Sequence, residues 1–130
     1  TYNSNADLSK VYVLGTTAVY EDILPYAITE FLQINGKSNL IGLAGGNRLT
    51  QLGGELNRKF GAVGGTVWQF GGVFKMEGGT EFTAYYLVGG LLDTNSAAGP
   101  KTITTLYRFP NGEIIRSREL TITTEVVIGE

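Results

Sequence analysis

Apolar and polar positions alternate along most of this chain in short runs, and glycine pairs separate the runs. Six pairs, Gly45-Gly46, Gly53-Gly54, Gly64-Gly65, Gly71-Gly72, Gly78-Gly79 and Gly89-Gly90, punctuate Ala62-Val63, Thr66 to Phe70, Val73 to Met76 and Thr80 to Val88. Glycine loses more backbone freedom on folding than any other residue and disfavours helix interiors, so pairs 7 to 11 residues apart leave little room for helices. The pattern predicts strands that turn, bend or bulge at the glycines. No internal repeat of long period stands out, and the doublet rhythm suits hairpins in a barrel or sandwich.

Taken in order, residues 1–7 are polar and read as an entry segment, and Leu8 to Tyr20 forms a first strand with a bend at Gly15. Asn35-Gly36, between Phe31-Leu32-Gln33-Ile34 and Leu40-Ile41, signals a type I′ hairpin joining strands at 27–34 and 37–44. A short helix at 22–28, capped by Asp22, is the alternative there. The segment 47–59, with Leu49, Leu52 and Leu56 among charges, suits an irregular or edge strand. From Val63 to Met76, the residues Trp68, Phe70, Phe74 and Met76 share one parity, placing large side chains on one face of a strand bent at Gly71-Gly72. A strand over 80–92, a loop over 93–100, and a final pair turning at Pro110-Asn111-Gly112 and returning over 113–128 complete about eight strands. The expectation is an all-β fold, one antiparallel β-barrel domain over 1–130, with a flattened β-sandwich as the alternative, because closure removes exposed edges.

Composition narrows the chemistry. Ten basic against twelve acidic residues give a net charge of −2 without a basic run, which argues against nucleic-acid binding. No apolar run reaches the roughly 20 residues of a spanning helix, so the chain is expected to be soluble or at most peripheral, cytoplasmic or secreted, with no membrane span. It begins at Thr1, consistent with a removed leader or a trimmed end. With no cysteine and no histidine, a disulfide scaffold, a thiolate metal site, a Ser-His-Asp triad and an imidazole base are excluded; neither metal nor cofactor is expected.

Two constellations remain. Leu120, Ile122, Val126 and Ile128 define the apolar parity of the last strand, and period-2 counting puts Arg116 and Arg118 on that same inward face, where they need a carboxylate or an anionic or polar ligand. A bulge near Ser117 would instead turn both to solvent. The aromatic set Trp68, Phe70 and Phe74, with Tyr85 or Tyr86 and Tyr107, lines either an apolar ligand cavity or a filled core. Glu55, Glu81, Glu113 and Glu119 are acid or base candidates only if one faces inward; charged residues mostly face solvent. Gly61 to Thr66 lacks the Lys-Ser/Thr and helix of a phosphate loop.

Phe60-Gly61-Ala62-Val63-Gly64-Gly65-Thr66-Val67-Trp68, followed by Arg108-Phe109-Pro110-Asn111-Gly112-Glu113-Ile114, resembles the allene oxide cyclase and dirigent barrels, including small bacterial spirotetronate cyclases, over residues 47–115. The resemblance implies an eight-stranded antiparallel barrel that binds an apolar intermediate and steers its ring closure by conformational restraint. On that reading the chain is a cofactor-independent cyclase or isomerase: Trp68, Phe70, Phe74, Tyr85 and Tyr107 hold the substrate while Arg116 or Arg118 polarises its carbonyl or acidic end. A non-catalytic carrier or lectin-like binder, and a structural or assembly subunit with a filled core, are the alternatives. A homodimer or larger assembly is expected from the Leu49/Leu52/Leu56 segment.

Overall fold

The computed structural model describes residues 2–4, 8–15, 19–22, 28–40, 48–58, 65–76, 80–95 and 99–129. Its strands are β1 (Tyr2–Ser4), β2 (Leu8–Val13), β3 (Val19–Asp22), β4 (Ile28–Gln33), β5 (Lys37–Leu40), β6 (Arg48–Gln51), β7 (Glu55–Arg58), β8 (Thr66–Gln69), β9 (Val73–Met76), β10 (Thr80–Asp93), β11 (Lys101–Ile115) and β12 (Leu120–Val127). The helix offered as the alternative at 22–28 falls outside the described residues except for its ends, Asp22 and Ile28, which lie in β3 and β4, and the end of the strand expected at 37–44 falls outside them from residue 41.

Every strand pair is parallel. One ladder runs β2-β4-β6-β8-β10-β11-β12, and a second runs β1-β3-β5-β7-β9 into the far ends of β10 and β11. Glu30 pairs with Arg48, Arg48 with Thr66 and Thr66 with Ala84, and each step advances the chain by 18 residues. The flanking steps are slightly longer, 20 residues from Leu8 to Ile28, 21 from Thr80 to Lys101 and 19 from Lys101 to Leu120; a chain that returns to the same position at such regular intervals, with its described strands all running the same way, is a β-solenoid. The antiparallel barrel and the sandwich are therefore both incorrect, as is the absence of a long repeat.

The corners explain how the sequence specifies this path. At Gly53-Gly54 and Gly71-Gly72 the first glycine lies against the coil below: an added Cβ would stand 2.7 Å from the Ile34 carbonyl oxygen at Gly53 and 2.6 Å from that of Leu52 at Gly71. The second glycine has φ of +81° at both, a conformation costly for other residues. Asn35-Gly36 forms the equivalent corner, not a hairpin. A type I′ turn needs positive φ at both central residues, and only Gly36 has it. Glu55 N donates to the Gly36 carbonyl at 2.9 Å, and Val73 N repeats this bond to Gly54, so each corner docks on the one before. The 47–59 segment likewise supplies two interior strands, β6 and β7, not an edge. Residues 101–115 run through their Pro110-Asn111-Gly112 corner as one strand, β11, and β12 adds to it in parallel instead of returning.

Corners also reset which side chains face inward. Trp68 lies on the outer face and Phe70 is 45% exposed, whereas Phe74 and Met76, beyond the corner, are fully buried. The shared parity of these four residues consequently does not correspond to a shared face. A second reset occurs within β10, where Phe82 and Tyr85, three residues apart, are both buried and Thr83 between them is exposed. Ile103, Thr104 and Leu106 repeat it in β11.

The interior is a set of stacked columns. One runs Phe31, Leu49, Val67, Tyr85, Leu106; another runs Leu56, Phe74, Leu92. Phe74, Phe82 and Tyr85 meet edge to face with centroids 5.4–5.9 Å apart. Each such side chain contributes about 1.5–3 kcal/mol through burial. Of the aromatic set read as lining either a cavity or a filled core, Phe74 and Tyr85 belong to this packed interior.

A glutamine column lines the glycine corners. Gln33, Gln51 and Gln69 are wholly buried, and each donates from Nε2 to two carbonyl oxygens. The acceptors are Gly36 and Glu55 for Gln33, Gly54 and Val73 for Gln51, and Gly72 and Leu91 for Gln69, at 2.9–3.2 Å. One amide therefore ties its own corner to the strand beyond the corner of the next coil, 22 residues on, which is why a polar residue occupies this interior position. The Tyr85 hydroxyl donates to Gln69 Oε1, whereas Gln33 Oε1 and Gln51 Oε1 have no partner among the described residues. Burial pushes the Tyr85 phenol well above its ordinary range.

Candidate functional site

The two outward faces of the coil differ in chemistry. On the face of β5, β7 and β9, Glu55 bridges Lys75 at 2.7 Å and Lys37 at 3.5 Å, and Asn57 donates to Asn39 at 2.8 Å. The hydrogen bond from Lys75 holds the Glu55 carboxyl below its usual range, and the same bond raises the Lys75 ammonium. Of the four carboxylates considered from sequence, Glu55 is engaged in this ladder, Glu81 and Glu113 are exposed, and Glu119 accepts the Gly99 amide at 2.9 Å. Glu113 lies in the register column of Glu55, three strands further along through Val73 and Leu91.

The opposite face, on β2, β4, β6, β8, β10, β11 and β12, is apolar along the two columns through Trp68 and Phe70, and polar along a third that runs Glu30, Arg48, Thr66, Ala84, Thr105. Trp68 stacks on Tyr86 with centroids 3.8 Å apart and planes 2° from parallel, and Tyr86 stacks on Tyr107 at 4.5 Å and 4°. Parallel in-register strands impose this, because identical positions sit one strand spacing apart. A second row lies two residues further along each strand, where Leu14, Ile34, Leu52 and Phe70 are 43–58% exposed. Within the aromatic ladder the ring faces cover one another, leaving mainly ring edges and hydroxyls outward.

This arrangement divides the aromatic set expected to hold a substrate. Trp68, Phe70 and Tyr107 are outside; Phe74 and Tyr85 are inside. The wall of the coil lies between the two groups. The residue that completes the outer ladder is Tyr86, the alternative to Tyr85. What would have singled it out is its distance of 18 residues from Trp68, the same interval that separates Gln33, Gln51 and Gln69.

Arg116 and Arg118 belong to the connection before β12, not to the strand itself, so its period-2 phase does not apply to them. Both are exposed. Arg116 does find a carboxylate: its Nη2 is 2.7 Å from Glu125 Oε1, and Arg108 Nε approaches Glu125 Oε2 at 3.9 Å. Glu125 occupies the register of Leu106 and Tyr85, an inward position, on a strand paired only with β11. A charged residue there closes the apolar column with an ion-paired group, the arrangement that blunts an open sheet edge. Arg118 is 10 residues or fewer from this cluster in sequence yet takes no part in these ion pairs to Glu125; the two arginines do not converge on one site.

An open hollow of about 180 Å³ lies nearby, lined by Arg108, Phe109, Pro110, Gly112 and Val127. It forms where Phe109 and Pro110 together oppose Val88, a bulge in the β10–β11 ladder. Among the described residues no group of three or more carboxylates could hold a metal ion, and no helix is long and apolar enough to cross a membrane. Comparison with family models, curated proteins and solved structures finds no match to this chain.

Proposed function

We propose that this chain is a non-catalytic structural or assembly element, a rigid solenoid shaft whose outer faces make its contacts. The observation that carries this reading is the interior: its described columns are filled by in-register side chains and its buried amides bind the corners of the coil itself. A ring-closing enzyme needs an enclosed space in which to fold a substrate. Here Phe74 and Tyr85, two of the residues assigned to that wall, pack against each other and Phe82.

A shaft built of near-identical coils depends on contacts between neighbours, so it comes apart coil by coil. Pulled from its ends, the chain should lengthen in increments of one coil of 18 to 21 residues, roughly 60–70 Å of extended chain each. Apolar small molecules should leave its melting temperature unchanged. A saturable thermal shift with such a compound, abolished by Phe74→Ala in a variant that still folds, would place a ligand in the interior and overturn this reading.

A further inference from the structure

We infer that the apolar face carries a second copy of this chain, packed face to face with the order of its coils reversed. The inference rests on the outer surface alone and stands apart from the reading of the interior.

The first observation is asymmetry around the coil. One face is a charged and amide ladder, Lys37–Glu55–Lys75 and Asn39–Asn57. The other exposes Leu52 and Phe70, each 45% accessible, beside the stacked Trp68, Tyr86 and Tyr107. A continuous apolar stripe of this kind on one side only marks a contact surface.

The second is size. Seven strands stack on that face, spanning roughly 33 Å with side chains at a strand spacing of about 4.8 Å. Three outward columns, the apolar ones through Trp68 and Phe70 and a polar rim through Thr66, Arg48 and Glu30, give a width of roughly 18 Å at about 6.8 Å per alternate residue. That is ~600 Å² per copy and ~1,200 Å² for a pair, at the lower end of specific interfaces.

The third is relief. Along the Trp68 column the bulky rings lie on one side, Tyr86 and then Tyr107, while the other side carries the shorter Thr50 and then Leu32. A two-fold axis lying along the strands at the coil of Trp68 reverses the coil order and keeps the columns aligned. It sets Tyr86 over the partner's Thr50 and Tyr107 over the partner's Leu32, so large meets small on both halves. The same operation sets Val126 over the partner's Tyr12. An isologous pair of this type closes on itself and does not propagate.

Sedimentation equilibrium of the whole chain, with cross-linking, tests this. The expected mass is twice the 14.0 kDa of one chain, and Phe70→Glu with Leu52→Glu should weaken association at least tenfold (~1.4 kcal/mol) while leaving the circular dichroism spectrum unchanged. The chain has no cysteine, so an introduced one is a unique handle. Thr66→Cys, in the coil on the axis, should join to its own copy through a short bis-maleimide, and Lys75→Cys on the charged face should not. A monomer at all concentrations up to about 200 µM would overturn the proposal, whether the face then serves another protein or nothing. So would a dimer captured by Lys75→Cys in preference to Thr66→Cys, which also decides the matter if the glutamate variants fail to fold.

Discussion

Replacing Gln69 by leucine should cost more than replacing Gln51, although the two occupy the same position in successive coils. In each case two amide hydrogen bonds to backbone carbonyls are lost, worth about 0.5–1.5 kcal/mol apiece. Leucine fits the column, since Leu87 holds the equivalent position in the next coil, buried and in register. At Gln51 the substitution also removes a buried Oε1 that has no partner, which offsets part of the loss. At Gln69 the Oε1 is the acceptor of the Tyr85 hydroxyl, and leucine leaves that wholly buried hydroxyl without its hydrogen bond. An unsatisfied buried donor costs about 1–3 kcal/mol. Gln51→Leu is therefore expected to destabilise by roughly 0–2 kcal/mol and Gln69→Leu by about 1–3 more. In urea unfolding followed by circular dichroism, that excess lowers the midpoint by roughly 0.7–2 M for a slope near 1.5 kcal/mol per M. In a Tyr85→Phe background the excess should vanish. Equal costs at the two positions, or an excess that survives removal of the hydroxyl, would refute the assignment of the Tyr85 bond as its source.

Gly72→Ala places a Cβ at a φ of +81° and 2.5 Å from the Gly54 carbonyl oxygen, so the coil below must move; a loss above about 3 kcal/mol is expected in thermal unfolding. Gly129→Ala, at φ +76° with its nearest neighbours 3.5 Å away, should cost only about 1 kcal/mol. The Glu55–Lys75 pair contributes less than about 1 kcal/mol at this partly exposed site. Because the Glu55 carboxyl is lowered, its contribution is present above the ordinary carboxylate range and is lost as pH falls through the lowered value. Because the Lys75 ammonium is raised, its contribution is present below the ordinary lysine range and is lost as pH rises through the raised value. Urea midpoints of the parent and Glu55→Gln should thus converge at both acid and alkaline extremes and differ between them. Glu125→Leu continues the apolar column to the open edge of β12 and removes the partner of Arg116; light scattering at neutral pH should show end-to-end growth that the parent lacks.

The residues by themselves determined that this chain is made of strands and where most of them bend. The strand expected over 80–92 is β10, Thr80–Asp93, and the bend expected at Gly71-Gly72 is a corner of the coil. These features are local: β-branched and aromatic runs favour extended backbone, and a positive φ selects glycine wherever it occurs. Strand direction is not local. A glycine pair can close a hairpin or turn a coil, and what decides between them at Asn35-Gly36 is the neighbouring coil, onto whose carbonyls the corner docks. The 18-residue period was present in Gln33, Gln51 and Gln69, but Leu87 interrupts it, and it acquires meaning only when each amide is seen to reach the strand 22 residues on. Side-chain direction was decided by tertiary structure for the same reason. Period-2 counting holds along a straight strand, and the corners between Phe70 and Phe74, the bend at Thr83 and the connection carrying Arg116 each restart it, so residues of one parity end on opposite sides of the wall.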